Sequence, residues 1–474
     1  NYKVVRNRES LFMAELKEAV EDSYKRLLAP SISREIRAML TEKAQEQAIH
    51  IFSLNLKNLL LQAPMKGRVV LGVDPAFRTG CKLAVISPSS NVLEIGVIYP
   101  NEKSKGASVS PAMLEKSKKT IIDLIQKYKV EIIAIGNGTA SRETESFIAE
   151  VIKESGLKAK YVIVSEAGAS VYSASELAIE EFPDLSVEQR SAISIARRIQ
   201  DPLAELVKID PKSIGVGQYQ HDVAQNKLNK SLDDVVVDAV NRVGVNLNTA
   251  SVSLLSYVSG LTKAITKNII AYREQNGRFT SREELKKVSK LGPKTYEQCV
   301  GFLRILDGEN ALDMTPIHPE SYDKALRLLK MMNMDTSSLG SDEMKEAIAK
   351  LDKTEISKTL ALDMYTLNDI LDAFAAPLRD IRDDYQGLKL RDDIMHFEDI
   401  KIGDELDGTV RNVVDFGAFV DCGVKYDGLI HISKMSPRKI SHPSDILSVG
   451  DSVHVYVIDI DYAKHKLSLS LVKA

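Results

Sequence analysis

The sequence lacks tryptophan altogether and has only three cysteines among its 474 residues. Cys81, Cys299 and Cys422 lie far apart and form no Cys-x-x-Cys pair, which argues against a disulfide framework and against a cysteine-based zinc site. No run reaches the roughly 18–20 consecutive apolar residues that a membrane-spanning helix needs. We therefore expect a protein of the reducing cytoplasm with no membrane partner.

The chain also starts without an initiator methionine or a signal peptide, since its first residues read Asn-Tyr-Lys-Val. We expect a longer protein with a further region before Asn1. Because domains usually contain about 100–200 residues, the length predicts several domains.

A strong excess of either charge is missing as well. The chain has 63 Lys/Arg and 66 Asp/Glu, a net charge of −3, which taken alone argues weakly against a polyanionic partner. Residues 246–306 differ from this average, with ten Lys/Arg, four Asp/Glu and a net charge of +6. A basic module inside a near-neutral chain is typical of nucleic-acid binding.

Hydrophobic periodicity predicts a multi-domain α+β protein. The predicted parts are a helical segment (1–64), an alternating β/α domain (65–209), a junction (210–245), helices with glycine turns (246–306), a helical domain (307–385), a linker (386–400) and an all-β domain (401–474). In the first segment we expect Pro30 to break the helical run and Ser33 to cap a second helix.

The strongest motif lies in the all-β part. Phe416 and Phe419 flank a Gly-Ala pair, and His431 is on the following predicted strand. Aromatic faces on a small barrel are surfaces on which single-stranded bases stack, at about 1–3 kcal/mol per base. Three further residues are candidates for phosphate contacts: Lys434, Arg438 and Lys466.

Residues 402–471 closely resemble the S1 RNA-binding domain, which is an OB-fold β-barrel. The resemblance implies that Phe416, Phe419 and His431 contact bases and that Lys466 is a basic contact. In the alternative interpretation both phenylalanines are core residues of the barrel.

Glycine turns organise the basic helical part. Gly260 precedes a helix that carries Lys263 and Lys267, and Gly292 precedes another that carries Lys294. A helix that starts at such a turn directs free N–H groups and the positive end of its dipole outward, where they attract phosphate.

This part resembles a tandem helix-hairpin-helix pair, which binds duplex backbone without regard to sequence. The family turn usually has a second glycine, and we assign those positions to Thr262 and Lys294. The alternative is a helical linker whose glycines only terminate helices.

Acidic residues follow strands of the β/α domain. Asp74 ends the first strand, and the domain resembles the YqgF family of RuvC-type, RNase H-like domains, in which carboxylates hold Mg²⁺ for phosphodiester hydrolysis. The resemblance makes Asp74 the first acid and Glu166 the second. The third position holds Ser191 or Ala192, with Asp201 further along. We expect a vestigial site, no metal and no other cofactor, with Mg²⁺ only if the domain is an active nuclease.

Residues 137–139 follow a predicted strand of the same domain. This Asn-Gly-Thr stretch either cradles a phosphate or turns into a helix that Ser141 and Thr144 cap.

The chain as a whole resembles the bacterial Tex family of RNA-binding transcription accessory proteins, and looks like its C-terminal part. The stretches that carry the resemblance are IGNGTASRET (135–144), SEAGASVYSASE (165–176), SIARRIQDPL (194–203) and GVGQYQHDV (215–223). The resemblance implies a scaffold that acts in transcription and its coupling to translation. The expected partners are single-stranded RNA, duplex DNA or structured RNA, and RNA polymerase or the ribosome. The alternative is a metal-dependent nuclease of the RuvC/YqgF resolvase type.

Overall fold

A computed structural model of the chain describes residues 11–101, 109–217, 219–384, 390, 400–424, 426–438, 440, 442–448, 451–462 and 464–473. The predicted linker, 386–400, lies outside the described residues except for Leu390 and Ile400. Within the described part, no helix has the length and apolar character required to cross a membrane.

One continuous helix opens the described chain, so the predicted break at Pro30 is wrong. It runs through α1 (Met13–Asp22), a π-helical stretch (Ser23–Leu28) and α2 (Ala29–Leu60). Proline in a regular helix collides with the carbonyl four residues earlier. The wider π-helical turns come directly before Pro30, and there the amide of Ala29 bonds to the carbonyl of Tyr24, five residues back. The helix therefore passes through the proline.

A five-stranded sheet forms the centre of the α/β domain. Its elements are β1 (Val70–Asp74), β2 (Cys81–Ile86), β3 (Val92–Ile98), α3 (Pro111–Tyr128), β4 (Ile132–Gly136), α4 (Ser141–Ser155) and β5 (Lys160–Val164). The strand order is β3-β2-β1-β4-β5, with β1 antiparallel to β2 and parallel to β4. The mixed α/β architecture predicted for this part is confirmed.

Four helices follow the sheet in sequence. They are α5 (Ala169–Ser173), α6 (Glu176–Glu181), α7 (Val187–Gln200) and α8 (Pro202–Leu206). Helix α7 packs so closely on β1 that a side chain at Gly72 would collide with the backbone of Ala192. Ser186 and Gln189 form a capping box at the start of α7. This close packing brings the first half of α7 over the end of β1.

Short helices and two small strands form the middle of the chain. The elements are α9 (Gln225–Val243), β6 (Val245–Asn246), α10 (Val252–Leu255), α11 (Lys263–Asn276), α12 (Pro293–Cys299) and β7 (Leu303–Arg304). The parallel pair β6–β7 joins the two ends of the basic module. The helical domain consists of α13 (Tyr322–Met331), α14 (Asp342–Ala349), α15 (Lys353–Leu360) and α16 (Met364–Ala375).

Arg282 connects the basic module to the helical domain. Its guanidinium is almost fully buried and donates to the carbonyls of Leu303, Thr315 and Ile317 and to the hydroxyl of Tyr322, at 2.6–2.8 Å. A buried arginine with this many acceptors stabilises one arrangement of the segments that supply them.

The C-terminal part is a closed five-stranded barrel, as the S1 resemblance predicts. Its strands are β8 (Glu405–Val414), β9 (Gly417–Asp421), β10 (Gly428–His431), β11 (Ser452–Asp461) and β12 (Lys466–Ser470). The order around the barrel is β10-β12-β11-β8-β9, closed by the parallel pair β10–β12. Alternate residues of each strand point inward, which leaves the others on the outer surface.

Candidate nucleic-acid interface

The aromatic residues predicted to contact bases lie on one outer face of the barrel. Phe416 is 51% exposed, Phe419 is half-buried, and their ring centroids lie 6.3 Å apart at an interplanar angle of 87°. His431 is exposed at the end of β10, and its register partner on β9 is Gly417. A side chain at Gly417 would collide with the carbonyl of Ile430, so glycine is what lets β9 approach β10 here. The exposure of Phe416 argues against the interpretation in which both rings are core residues.

The three candidate basic residues of the barrel are exposed but do not cluster. Lys434 lies in the single 3₁₀ turn directly after His431, and Arg438 lies four residues further along the chain. Lys466 begins β12, and the parallel register with β10 puts it four residues ahead of His431. At about 3.3 Å per residue this is about 13 Å along the strand. Lys434 is thus near the histidine end of the aromatic face, and Lys466 is at the other end.

The two hairpin turns of the basic module have the same backbone conformation. In each turn a residue with positive φ is followed by a buried leucine and then by an extended residue that precedes a helix. These residues are Gly260 (φ +86°), Leu261 and Thr262 in the first turn, and Lys290 (φ +67°), Leu291 and Gly292 in the second.

This alignment corrects the predicted position of the missing glycines. Lys294 is the second residue of α12 and does not occupy a glycine position of the turn. The residue equivalent to Thr262 is Gly292, so each hairpin keeps one of the two family glycines. Glycine is needed at 260, because a Cβ there would lie 2.8 Å from that of Gln298. At the equivalent position Lys290 is exposed, and a lysine is accommodated in the left-handed conformation.

The positive charge of the basic module divides into two groups. Six of its ten Lys/Arg are engaged within the protein: Arg273, Arg282 and Arg304 donate to backbone carbonyls, and Arg278, Lys286 and Lys287 pair with acids. The other four are exposed, and no ion pair involves them among the residues that the structure describes: Lys263, Lys267, Lys290 and Lys294. All four lie at the two turns or in the first two turns of the helices that follow. Lys290 is absent from the sequence-based candidates, although Val-Ser-Lys-Leu (288–291) repeats the Val-Ser-Gly-Leu (258–261) of the first turn and could have identified it.

A third turn of similar form lies in the helical domain. Ala361 has φ +48°, Leu362 is buried, and Asp363 precedes α16. The carboxylate of Asp363 accepts from the amide of Thr366 at 2.9 Å, so the helix start already has an anion. Residues 307–385 contain nine Lys/Arg and seventeen Asp/Glu, which makes this domain acidic. The excess of negative charge in this domain and the carboxylate at the start of α16 both disfavour phosphate binding at the third turn.

The first two predicted acids of the α/β domain come together. Asp74 ends β1 and Glu166 follows β5, and the carboxyl ends of β1, β4 and β5 meet at one edge of the sheet. Burial raises the pKa of Asp74 above its ordinary value, against the hydrogen bond with Ser191 and the charge of Lys82. Burial also raises the pKa of Glu166, and the negative charge of Asp74 raises it further.

The loop after β4 holds Glu166 in place. The amide of Glu166 donates to Oδ1 of Asn137 at 3.0 Å, and a side chain at Gly138 would collide with the Glu166 carboxylate. The expectation that Ser141 and Thr144 cap α4 is wrong, since no side chain caps that helix. The hydroxyl of Thr144 instead accepts from Nδ2 of Asn101 at 2.9 Å. The loop thus contacts a carboxylate, which disfavours a phosphate in the same place.

Asp201 does not join the acidic pair. It ends α7, caps α8 by accepting from Ala204 at 3.1 Å, and accepts from the buried guanidinium of Arg382 at 2.7 Å. Ser191 occupies the third position and supplies a hydroxyl in place of a carboxylate. Among the described residues no group of three or more His, Cys, Asp or Glu side chains is arranged to hold a metal ion. The side chains at this site therefore do not fit the Mg²⁺ that the RNase H-like fold implies.

Comparison with protein-family models assigns four parts of the chain. The Tex protein YqgF-like domain matches residues 68–200, and the helix-hairpin-helix motif matches 240–304. A second HHH domain matches 310–382, and the S1 RNA-binding domain matches 399–471. The second HHH match covers the part that periodicity identifies only as helical.

Curated relatives match over almost the whole chain. The protein named tex of Bordetella pertussis is 45% identical over 94% of this chain and 55% of its own length. The chain belongs to the Tex family. The transcriptional accessory protein Tex of Neisseria gonorrhoeae is 45% identical over 96% of this chain and 58% of its own length. The YdcI protein of Bacillus subtilis is 57% identical over 99% of this chain and 64% of its own length. This Tex chain thus spans between about half and two thirds of the length of these relatives.

Proposed function

We propose that this Tex chain is a nucleic-acid-binding scaffold that acts in transcription and holds chiefly RNA. The observation that carries the proposal is the exposed ring of Phe416, which lies beside Phe419 and close to His431 on the outer face of a closed barrel. Exposed aromatic faces on OB-fold barrels bind single-stranded bases by stacking. Single-stranded RNA is therefore the ligand proposed for the barrel.

The hairpin module is the second binding surface in this proposal. Four exposed lysines surround its two turns, and an added Cβ at Gly292 would meet no atom within 4 Å, so the backbone is open there. Such a surface suits phosphates of duplex DNA or structured RNA. A relative named a transcriptional accessory protein supports a link to transcription. RNA polymerase and the ribosome are the protein partners of this proposal.

Competition binding tests the scaffold. Fluorescent single-stranded RNA is titrated with the intact chain, first alone and then with saturating unlabelled duplex DNA. Because the two ligands are assigned to separate surfaces, the RNA affinity should change less than threefold. Complete displacement of the RNA by duplex DNA would contradict two separate surfaces, and failure to bind single-stranded RNA would contradict the proposal as a whole.

A metal-dependent nuclease is the second candidate function, and the ion pair of Asp201 with Arg382 disfavours it. Labelled single-stranded RNA, single-stranded DNA and branched DNA are incubated with the chain in Mg²⁺ or Mn²⁺. We expect no more cleavage than with an Asp74→Asn control. Cleavage that disappears in both Asp74→Asn and Asp201→Asn would favour the nuclease instead.

A further inference from the structure

A buried lysine lies beside the acidic pair of the α/β domain. Lys82 is 6% exposed and is the direct register partner of Asp74 across the antiparallel strands β1 and β2. Directly opposite residues of such a pair project their side chains from the same face of the sheet. On that face α7 covers the strands, so Lys82 and Asp74 share one enclosed space beneath this helix.

Oxygen atoms surround the ammonium group of Lys82. It donates to the carbonyls of Thr79 and Gly80 at 2.8 and 3.0 Å, and it lies 3.9 Å from a carboxylate oxygen of Glu188 on α7. Its charge also lowers the pKa of Asp74. Lysine is rarely buried unless its charge is paired, and here the partners are the kinds of oxygen that also bind hard divalent cations.

Arg198 is a second buried cation, and its charge acts on the other carboxylate, that of Glu166. Arg198 on α7 is buried, donates from Nη1 to the carbonyl of Ser165 at 2.6 Å, and its charge acts on Glu166. Lys82 and Arg198 together supply two positive charges, the same as one Mg²⁺ ion. Each carboxylate therefore has a buried positive charge of the chain acting on it: Lys82 acts on Asp74 and Arg198 on Glu166.

We propose that the ammonium group of Lys82 is the resident cation of this acidic pocket and takes the place of a divalent metal. The fold implies a metal-binding site, and in this chain the side chain of Lys82 on β2 fills it. The third ligand position of that site holds Ser191 in place of a carboxylate. Removal of the ammonium group leaves Asp74 and Glu188 beside a vacated position, with Glu166 next to Asp74, and creates a divalent-cation site. This inference does not depend on RNA binding by the barrel or the hairpins.

Manganese binding tests the inference. Lys82→Met removes the charge and keeps a long, unbranched side chain. We expect this variant to bind Mn²⁺ at least tenfold more tightly than the wild type in isothermal titration calorimetry. The addition of Asp74→Asn should abolish the gain. The same Mn²⁺ should raise the thermal midpoint of Lys82→Met and leave that of the wild type unchanged.

Lys118→Met is the matched control, because Lys118 lies in the same domain and pairs with Glu150 and Glu154 at 2.9 and 2.8 Å, away from the acidic pair. It should gain no Mn²⁺ affinity. If methionine unfolds the domain, Lys82→Gln repeats the test with an amide that still donates to the loop carbonyls. The proposal is overturned if a folded Lys82 variant gains no affinity. It is also overturned if the wild type binds Mn²⁺ and Asp74→Asn abolishes that binding.

RNA binding is measured on the same samples. Lys82→Met should bind single-stranded RNA within twofold of the wild type, because the acidic pocket and the barrel are separate surfaces. Loss of RNA affinity that accompanies Mn²⁺ binding would overturn that independence. Absence of RNA binding in the wild type would count against the proposed function and leave the manganese result to be judged by itself.

Discussion

Asp201 and Arg382 form an ion pair of 2.7 Å between the end of α7 and a 3₁₀ turn near the end of the helical domain. Arg382 is almost fully buried, and Asp380 supplies its second carboxylate at 2.8 Å. The pair joins residues that lie 181 positions apart in the chain. Asp201 therefore contributes to the contact between two domains, and this engagement keeps it away from Asp74.

Substitution of Asp201 should destabilise the chain. Asp201→Asn keeps an N-cap for α8 but removes the charge-assisted bond to Arg382, for which we expect a loss of about 1–2 kcal/mol in the free energy of unfolding. Asp201→Ala also removes the cap and should lose about 1 kcal/mol more. Urea denaturation measures both.

The control for this ion pair is Asp323→Asn, which removes an exposed partner of Arg327 within α13. Exposed pairs spaced by four residues contribute about 0.5 kcal/mol or less. Equal effects of Asp201→Asn and Asp323→Asn would contradict a structural role for the buried pair.

Removal of the aromatic face should weaken RNA binding without unfolding the barrel. We expect Phe416→Ala combined with Phe419→Ala to lower the affinity for single-stranded RNA at least tenfold, since each stacked base contributes about 1–3 kcal/mol. Filter binding gives the affinity, and circular dichroism reports the fold. Tyr365→Ala removes an aromatic side chain that is 86% exposed in the helical domain, and it serves as the control. Unchanged affinity in a folded double variant would exclude this face as the RNA site.

The hairpin lysines should carry the salt dependence of duplex binding. Replacement of Lys290 and Lys294 by Gln should reduce the slope of log K against log salt by up to about one unit for each phosphate that the protein no longer neutralises. Lys286 and Lys287 provide a matched pair in the same segment, because they already contact Glu283 and Glu284. Their replacement by Gln changes the net charge equally and should alter the slope much less. Equal slopes for the two double variants would indicate a general effect of charge, without specific contacts.

Local patterns in the sequence predicted the strands of the α/β and all-β domains, and the resemblances to the S1 and helix-hairpin-helix families predicted the barrel and the two hairpins. The first strand of the β/α domain, predicted to end at Asp74, is β1 (Val70–Asp74), and the all-β domain predicted over 401–474 contains β8 to β12. These strands are short apolar runs between turn residues, so their limits depend on neighbouring residues alone. The aromatic face of the barrel follows from a motif of the same local kind.

Contacts between distant segments could not be predicted in this way. The left-handed conformation of Lys290 is set by the packing of the hairpin in which it lies. Lysine as a residue type has no preference that would predict it. The partner of Asp201 and the burial of Lys82 depend on which elements meet in space. In the sequence Lys82 is a single polar residue at the start of an apolar run. Only its register with Asp74 in the folded sheet shows that it belongs to the acidic site.

The last prediction concerns the pH dependence of stability at Glu166. Its pKa in the folded chain is raised by burial and by the charge of Asp74. A carboxyl with a raised folded-state pKa contributes stability that is fully present below its unfolded pKa and is lost as the pH rises through the folded value. The wild type therefore lacks this contribution at pH 7. Glu166→Gln is neutral at every pH, so it should melt at a higher temperature than the wild type at pH 7 and at nearly the same temperature below about pH 4.

Glu154→Gln is the control of opposite sign, because the hydrogen bond with Lys118 lowers the pKa of Glu154. A lowered pKa contributes stability above the unfolded pKa, and that stability is lost as the pH falls. This variant should melt below the wild type at pH 7, with a difference that shrinks toward pH 4. Thermal melts of the three proteins between about pH 3 and pH 8 measure both trends. A Glu166→Gln variant that is less stable than the wild type at pH 7 would show that the ionised carboxylate stabilises the fold, against the burial and repulsion described for it.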